Sequence, residues 1–357
     1  MQRSEGARLG PLTTLRLGGP ARELVRCDTA AEIGEVVAEV DRAGAPLFVL
    51  GGGSNVVVSD DGFAGTVLAV ASRGVSAKRG EGDAVFVFEA GEPWPEVVAR
   101  LTGEGYAGVE CLAGIPGLVG ATPMQNVGAY GQDVAQVLEH VEVLDRATGA
   151  VSKLGRDACA FGYRTSLLKH ARLPSGGLRY VVLRVALRVA RASVSRPIAY
   201  AELARALSVP MGGAAPLTVV HDTVVELRRG KGMVLDARDP DSVSAGSFFT
   251  NPILDAAGAE RLAARVRERL GEGAAAPTFA DPAGVKVAAA WLIERAGFSK
   301  GYSPGGGVAI STKHALALVA REGATARALL ALAREIEEGV ERAFGVHLDR
   351  EPVLVGL

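Results

Sequence analysis

The sequence predicts an α+β protein with more than one domain. An extended apolar segment ending near Cys27, a helix and the strand PLFVL make a βαβ unit that leads into the run GGGSN. Strands dominate the middle of the chain, and helices dominate beyond about residue 230. Because 357 residues exceed the usual size of one folded unit, we expect two or three domains. We place them at residues 1–72, 73–228 and 229–357.

The first helix is predicted by its capping residues and its apolar stripe. Thr29 precedes the helix and Glu32 follows three residues later, which is the spacing of a capping box. Gly44 supplies a left-handed end. Between them the apolar residues recur with helical spacing and share one face: Ile33, Val36, Val37 and Val40.

The remaining elements follow from the same two periodicities. Alternating apolar residues predict strands, and longer apolar stripes that end at a glycine predict helices. Strands are expected at residues 85–89, 140–144, 151–154 and 180–189. Helices are expected at residues 95–101, 286–296 and 325–344, the last two ended by Gly297 and Gly345.

Charge and hydropathy exclude several classes of function. The 39 Lys and Arg residues are balanced by 40 Asp and Glu residues, so there is no basic excess for a nucleic-acid backbone or an anionic membrane. No apolar run approaches the ~18 residues of a membrane span, and the first residues form no apolar signal segment. We therefore expect a cytoplasmic protein with no nucleic-acid partner and no membrane insertion.

The cysteines and histidines indicate neither disulfide nor metal chemistry. Cys27, Cys111 and Cys159 are widely spaced, odd in number and without a CxxC pair. None of the five histidines lies at metal-ligand spacing from another. We interpret the cysteines as small core residues in a reducing compartment, and we predict no metal site.

Two glycine-rich segments are candidate ligand sites. The run GGGSN at residues 51–55 follows an apolar strand, where backbone N–H groups can hold a phosphate. It lacks the lysine of a P-loop, and a tight strand-to-loop turn is the alternative. The loop AGIPGLVGATPMQNVGAYG at residues 113–131 would let a long flat ligand lie beside the backbone, although its spacing is not that of a Rossmann turn. A flexible loop is the alternative there.

Three short segments could carry a reaction. FGYRTS places Arg164 where a guanidinium either pairs with a surface carboxylate or holds an anionic substrate. AGSFFTNP places Ser247 in a glycine-hinged turn, which either orients a hydroxyl group or only anchors a turn in the core. Glu351 follows in a strand-like apolar run, as a buried carboxyl group or as an exposed residue of the rim.

Several segments, in the same order, resemble the UDP-N-acetylenolpyruvoylglucosamine reductase family. They are LGPLTTLRLGGPA, LGGGSN, the loop at residues 113–131, YRTSLLK, AGSFFTNP, AAWLIERAG and HLDREP. The resemblance spans nearly the whole chain. YAEL at residues 200–203 resembles the subtype whose substrate site is closed by a tyrosine-bearing loop.

The resemblance implies a fold and a set of ligands. Residues 1–72 and 73–228 would form a two-part FAD-binding region of the vanillyl-alcohol-oxidase type, followed by an α/β substrate-binding domain at residues 229–357. It implies non-covalent FAD, NADPH and a UDP-N-acetylglucosamine enolpyruvate substrate on the path to peptidoglycan. No histidine precedes His140, which agrees with a flavin held without a covalent link to histidine. We expect a monomer.

The resemblance also implies binding roles for individual residues. FAD would lie along the two glycine-rich segments and near one arginine, held by Gly51, Gly52, Gly53, Ser54, Asn55, Gly114, Ile115, Pro116, Gly117, Gly120, Ala121, Gln125, Asn126, Gly128, Ala129, Tyr130 and Arg228. The UDP-sugar would be held by Tyr163, Tyr200, Lys231 and Asn251.

The chemistry of the implied reaction gives three more residues a role. Hydride from flavin N5 would reach the terminal carbon of the enolpyruvyl ether and leave negative charge on the adjacent carbon and its carboxylate. Arg164 and a protonated Glu351 would stabilise that enolate, one such donor contributing about 3 kcal/mol in a dry site. Glu351 would need a pKa raised by burial, and Ser247 would donate the final proton.

Two alternatives predict different behaviour. Another FAD enzyme of the same fold could oxidise an alcohol or a sugar and pass the electrons to oxygen, and it would not require a serine acid. A nucleotide-sugar binding module without chemistry is the second alternative. The presence of Arg164, Ser247 and Glu351 argues against that second alternative.

Overall fold

The chain folds as two units, each assembled from separate stretches of the sequence. The computed structural model describes all residues from Met1 to Leu357. Unit 1 comprises Met1–Arg8, Pro20–Gly53 and Phe63–Gly230. Unit 2 comprises Leu9–Gly19, Ser54–Gly62 and Lys231–Leu357. Both units contain strands and helices, so the predicted α+β class is confirmed.

Strands and helices occur together along the whole chain. The strands are β1 (Gln2–Glu5), β2 (Ala21–Cys27), β3 (Leu47–Leu50), β4 (Val56–Val58), β5 (Phe63–Val70), β6 (Val75–Arg79), β7 (Asp83–Glu89), β8 (Tyr106–Ala107), β9 (Gly128–Ala129), β10 (Gln132–Asp133), β11 (Leu138–Asp145), β12 (Ala150–Gly155), β13 (Tyr180–Arg191), β14 (Ser244–Ser247), β15 (Ile253–Leu254), β16 (Thr278–Asp281), β17 (Gly284–Val287), β18 (Val308–Ile310), β19 (Ala317–Ala320) and β20 (Val353–Val355). The helices are α1 (Ala30–Arg42), α2 (Trp94–Gly103), α3 (Leu167–His170), α4 (Ala201–Ala206), α5 (Leu217–Gly230), α6 (Ala256–Leu270), α7 (Ala289–Arg295) and α8 (Ala326–Phe344).

The first sheet of unit 1 contains the predicted βαβ unit. Its order is β1-β2-β5-β3, and β5 pairs in parallel with both β2 and β3. Helix α1 begins after Thr29, whose hydroxyl group accepts the Glu32 N–H as predicted, while the Glu32 carboxylate reaches Asp28 N–H rather than Thr29. The four stripe residues of α1 are buried, and Gly44 adopts a positive φ of 61°, so this helix is confirmed.

The second sheet of unit 1 supports the glycine-rich loop. Its order is β12-β11-β13-β7-β6, with β8 pairing beside β13, and all pairs are antiparallel. The predicted strands and the predicted helix at residues 95–101 fall within β7, β11, β12, β13 and α2. Helices α2 and α5 contribute to one apolar core together with this sheet. The three cysteines are buried, as expected for core residues.

Unit 2 combines small antiparallel sheets with long helices. Its sheets have the orders β14-β19-β18 and β15-β17-β16, and β4 pairs in parallel with β20. Helix α8 ends at Gly345 as predicted, with the Thr325 hydroxyl group capping its first turn. The helix predicted at residues 286–296 is wrong at its start. Lys286 and Val287 belong to β17 because they pair with β16, and a tertiary pairing outweighs local helical spacing.

None of the eight helices combines the length and the hydropathy of a membrane span.

A buried carboxyl group in unit 2 makes acid stability testable. Asp241 is 3% exposed and accepts hydrogen bonds from Thr312 Oγ1 and Arg321 Nη2, both at 2.5 Å. Burial acts to raise the pKa of Asp241, but the bonds from Thr312 and Arg321 outweigh it and lower the pKa below its usual value. A carboxyl group with a depressed folded pKa contributes stability above its unfolded pKa of about 3.9 and loses that contribution as the pH falls through the folded value.

We therefore expect Asp241→Asn to lower the free energy of unfolding most at neutral pH. The difference from the native chain should shrink as the pH falls below about 4, because the unfolded chain then binds a proton at this carboxyl group while the folded chain does so only at its lower pKa. Urea unfolding at several pH values measures both effects. Asp61→Asn, at an exposed position of the same unit, is the control. A difference that stays constant down to the acid limb would contradict this account.

Candidate active site

Two glycine-rich segments are predicted to bind FAD, and Gly51–Gly53 of the first segment meets the loop at residues 113–131 in unit 1. A Cβ atom on Gly52 would lie 2.6 Å from Gly117 Cα, closer than any side chain tolerates. A Cβ atom on Gly51 would lie 3.6 Å from the Ala121 side chain, which is an ordinary van der Waals contact. The glycine at residue 52 is therefore required by a close approach of two backbones. Gly52 and Gly117 are far apart in the sequence, so no local pattern indicates that they are in contact.

Backbone hydrogen bonds fix the loop at residues 113–131 on the second sheet. Val119 N–H donates to Glu92 O and Gly120 N–H to Ala90 O, both at 2.8 Å. Trp94 N–H, at the first residue of α2, donates to Gly117 O at 3.0 Å. These hydrogen bonds attach the middle of the loop to neighbouring backbone, so the flexible-loop alternative does not describe it.

Asn126 and Ser166 hold the segment that carries Arg164 against this loop. Asn126, which is 7% exposed, accepts a hydrogen bond from Ala135 N–H and donates one to Gly162 O at 3.2 Å. Ser166 Oγ donates to Met124 O at 2.7 Å. The Arg164 guanidinium group then reaches the loop itself, where Nη2 donates to Gly128 O at 3.0 Å.

Three predicted site residues have a left-handed backbone. The φ angles are 47° at Asn126, 49° at Tyr130 and 55° at Arg164. A non-glycine residue in this region typically costs of order 1–3 kcal/mol, and such strain concentrates at functional sites. The strain at Tyr130 and Arg164 supports a functional interpretation because neither residue has the short polar side chain that tolerates this conformation.

The same part of unit 1 gathers two cations and three tyrosines. The Arg164 guanidinium carbon lies 5.6 Å from the Tyr163 ring centre, and the Tyr130 and Tyr200 rings meet edge to face at 5.3 Å. Burial lowers the pKa of the Arg228 guanidinium group to about 10, with the charge of Arg164 acting in the same direction. A site that keeps two arginines close together favours an anionic ligand.

Tyr130 is held in a poorly solvated place. Burial raises the pKa of its hydroxyl group to about 12, and the Glu202 carboxylate adds to the rise. Glu202 lies in the first turn of α4, two residues after Tyr200. The predicted cofactor residue and the predicted substrate residue are therefore neighbours in this unit.

In unit 2, Ser247 lies at the end of a bulged strand. Ser244 pairs with Val319 and Ser247 with Ala317, with a register shift between them, and Gly246 has a φ of 75°. A bulge changes the direction of the side chain that follows it. Phe248, which is fully buried, anchors the backbone through its N–H to Leu316 O at 2.7 Å. The turn at Ser247 is therefore anchored in the core by Phe248, and this anchoring fixes the backbone position of Ser247.

The backbone at Glu351 lies beside the segment that carries Ser247. Its N–H donates to Phe248 O at 2.9 Å, and Phe249 and Arg350 form an antiparallel bridge. Asn55 also contacts this segment, because its Nδ2 donates to the Glu351 carbonyl oxygen at 3.3 Å. Ser247 and Glu351, which are far apart in the sequence, are therefore on adjacent backbones of unit 2.

Asn251 and Lys231 also lie in unit 2. Asn251 Oδ1 accepts the Ala289 N–H at 2.9 Å at the beginning of α7, so its oxygen has a structural role. Lys231 is half-buried at the start of the unit and is followed by Gly232, which packs against Asp241. Arg164, by contrast, belongs to unit 1.

Comparison with known proteins assigns both parts of the chain. Residues 21–155 match the FAD binding domain family, and residues 239–355 match the family described as UDP-N-acetylenolpyruvoylglucosamine reductase, C-terminal domain. UDP-N-acetylenolpyruvoylglucosamine reductase from Thermobifida fusca is 53% identical over 98% of this chain and 97% of its own length. The Streptomyces avermitilis protein of the same name is 50% identical over 100% of this chain and 96% of its own.

The chain belongs to the UDP-N-acetylenolpyruvoylglucosamine reductase family.

A solved structure agrees with this assignment. The crystal structure of UDP-N-acetylenolpyruvylglucosamine reductase from Thermus caldophilus matches 99% of this chain and 98% of its own, with a TM-score of 0.64 and 26% identity. The predicted family is confirmed, and so are an FAD-binding region followed by the family's C-terminal domain. The protein is an FAD-dependent oxidoreductase.

Unit 1 of this reductase offers polar groups that fit a flavin nucleotide. Ser72 Oγ and Trp94 Nε1 are buried and have no hydrogen-bond partner in the protein. Both belong to the structure that carries the glycine loop, since Trp94 N–H bonds to Gly117 O and Gly91 packs directly on Ser72. Buried donors of this kind normally have a partner, so they fit the polar atoms of a bound cofactor.

No sequence pattern marks Ser72 or Trp94 as a cofactor residue. Ser72 follows the apolar run of β5, and Trp94 opens α2, so each resembles an ordinary core position. The signal that marks them is a buried polar atom without a partner, which only the fold reveals.

Proposed function

We propose that the chain reduces the enolpyruvyl double bond of UDP-N-acetylglucosamine enolpyruvate to give UDP-N-acetylmuramate, a step toward peptidoglycan. The observation that carries this proposal is the identity of 53% over nearly the full length of an enzyme with the corresponding name. NADPH is the proposed reductant, and the proposed enzyme works in the cytoplasm as a monomer.

FAD, when bound, supplies the hydride. In this proposal Gly51–Gly53 and the loop at residues 113–131 let the cofactor approach the backbone closely, and Ser54 and Asn55 add polar contacts. Arg228 faces its phosphates, which would favour the charged guanidinium group that burial disfavours. Tyr163, Tyr200, Lys231 and Asn251 hold the UDP-sugar.

Arg164, Glu351 and Ser247 act on the reacting part of the substrate. Arg164 is fixed by Gly128 and by the Tyr163 ring, so its guanidinium group is preorganised to stabilise the enolate. Glu351 aims its carboxyl group at the substrate carboxylate. Ser247, fixed by the bulge and by Phe248, donates the proton to the carbon next to the carboxylate.

Flavin spectroscopy under anaerobic conditions tests this function. Purified protein should be yellow, lose its colour with NADPH and recover it on addition of UDP-N-acetylglucosamine enolpyruvate. Product analysis should show UDP-N-acetylmuramate in an amount equal to the flavin reoxidised. Recovery with oxygen but not with the enolpyruvyl sugar would favour the oxidase. Binding of FAD and sugar without any turnover would favour a binding module.

The proposed role of Arg228 predicts opposite effects on stability and cofactor binding. Burial disfavours its charge, so Arg228→Met should leave the apoprotein at least as stable as the native chain. The same change should weaken FAD binding by about 10-fold to 100-fold, since hydrogen bonds to charged groups contribute about 1.5–3 kcal/mol. Thermal unfolding of the apoprotein and FAD titration measure the two effects.

Arg229→Met is the matched control for this prediction. Arg229 is the next residue of α5, is exposed and pairs with Glu226 on the surface. Its replacement should change neither quantity appreciably. An unchanged FAD affinity in Arg228→Met would remove Arg228 from the cofactor site.

A further inference from the structure

Glu110 is a fully buried carboxyl group that the proposed reaction does not use. It is 0% exposed and lies three residues before the glycine-rich loop. Both of its oxygens accept hydrogen bonds. Oε2 accepts Gly108 N–H at 2.6 Å, and Oε1 accepts Gln132 Nε2 at 2.9 Å and Arg196 N–H at 3.2 Å.

Gln132 completes a closed arrangement from the other end of the loop. It is 7% exposed, lies in β10, and its Oε1 accepts Cys111 N–H at 2.8 Å. Residues 110–111 and residue 132 flank the loop on its two sides, so the Glu110 and Gln132 side chains join its ends directly. Buried polar pairs of this kind are costly when only one partner remains, because the other then loses its hydrogen bond.

The third bond of Glu110 reaches the segment that leads to Tyr200. Arg196 precedes Tyr200 by four residues, and an added Cβ on Gly131 would lie 3.1 Å from the Ala199 side chain. The end of the loop and the tyrosine segment therefore pack together. Glu110 is hydrogen-bonded to Gln132 at the end of the loop and to Arg196 in the segment that leads to Tyr200.

We propose that Glu110 and Gln132 are positioning residues that clamp the ends of the loop at residues 113–131 and so hold it in the shape that binds FAD. This inference rests on the proposed role of that loop in the FAD site. Neither side chain is a catalytic residue, because each acts through the backbone groups it holds.

The clamp can be tested by exchanging Glu110 and Gln132, because the hydrogen bond between their side chains has a defined donor and acceptor. In Glu110→Gln the new NH2 group must face either Gly108 N–H or the donors of Gln132 and Arg196, so a buried donor loses its acceptor. In Gln132→Glu two carboxyl groups face each other. In the double variant Glu110→Gln, Gln132→Glu the bond between the two side chains re-forms in the opposite direction. Only the Arg196 bond is then lost.

The measurement is the dissociation constant of FAD for each variant, together with hydrogen exchange of the loop amides in the apoprotein. Each single variant should bind FAD about tenfold or more weakly and exchange faster in the loop, since a buried unpaired donor carries that size of penalty. The double variant should bind FAD more tightly than either single variant, because two side chains in direct contact are coupled, but less tightly than the native chain, because the Arg196 N–H still lacks its acceptor. Glu81→Gln, at an exposed position between β6 and β7, should behave as the native chain.

Two outcomes would overturn the clamp. One is a Glu110→Gln protein that binds FAD as tightly as the native chain, and the other is a double variant no better than the single ones. If Glu110→Gln alone does not fold, the double variant decides, because a folded double variant that binds FAD supports the clamp and an unfolded one refutes it. A native chain that binds no FAD would instead overturn the proposed function itself.

Discussion

Ser247→Ala should slow reoxidation of the reduced flavin by the enolpyruvyl sugar about 10²–10⁴-fold, the range for loss of a positioned acid. Flavin reduction by NADPH should stay close to the native rate. The reason is that only the second half-reaction creates a carbanion that must take up a proton. Stopped-flow absorbance of the two half-reactions, measured separately, gives both rates.

The structure explains why this hydroxyl group is suited to the task although serine is a weak acid. Phe248 and Phe249, at 0% and 1% exposure, hold the backbone next to Ser247 in the core of unit 2. The bulge after Ser244 and the positive φ of Gly246 then set the direction of the side chain. A donor held in place needs no reorganisation when the charge develops, and this supplies part of the barrier reduction.

Ser244→Ala provides the control on the same strand. Ser244 is buried, its Oγ accepts Gly246 N–H, and its carbonyl oxygen accepts a hydrogen bond from Thr14. Its loss should affect stability more than either half-reaction. If Ser247→Ala slowed both half-reactions equally, Ser247 would be a structural residue and the proton would come from elsewhere. A solvent deuterium isotope effect on the second half-reaction that disappears in Ser247→Ala would support the assignment.

Local signals in the sequence were sufficient for the elements that fold by local rules. Helix α8 has both its caps and its apolar stripe within one stretch, so Thr325 and Gly345 mark its ends correctly. Helix α1 is similar. The start of α7 was predicted wrongly because Lys286 and Val287 are paired with β16, and no local pattern reports that pairing. The sheets of unit 2 were also not predicted, because their strands are only two to four residues long and are too short to give a clear local pattern.

The candidate site depends still more on contacts between distant residues. The local sequence marks Gly52, Gly117, Ser247 and Glu351 only as separate positions. The fold shows that Gly52 lies against Gly117 and that Glu351 N–H bonds to Phe248, the residue after Ser247. Ser54–Gly62 belongs to unit 2 because β4 pairs with β20 at the opposite end of the chain. The clamp residue Glu110 lies among apolar residues and was not singled out. Its proposed role rests on bonds to Gly108, Gln132 and Arg196, of which the bond to Gln132 joins the two ends of the loop.

Arg164→Met should slow the second half-reaction about 10²–10³-fold, because it removes one preorganised charge from the developing enolate. Arg164→Lys should recover only part of this rate. An ammonium group keeps the charge but cannot reproduce the planar fork that bonds to Gly128 O while lying over the Tyr163 ring. Flavin reduction by NADPH should change much less in both variants.

The test must separate the effect on the reaction from an effect on the fold. Arg164 has a φ of 55°, and its carbonyl oxygen accepts a bond from Lys169 Nζ at 3.1 Å, so its backbone conformation is supported by a neighbour that both variants keep. FAD affinity and thermal unfolding should therefore stay near the native values. Arg172→Met, at an exposed position in the same region, is the control for loss of a positive charge.

Loss of the Arg164 charge should not change the protonation of Arg228. Burial is the main cause that lowers the pKa of Arg228 to about 10, and the charge of Arg164 adds to it, so Arg228 is protonated at neutral pH with or without Arg164. FAD affinity in Arg164→Met should therefore stay close to that of the native chain, even as the reaction slows. A variant that lost FAD affinity and the second half-reaction together would place Arg164 in the cofactor site. The enolate would then need another cation.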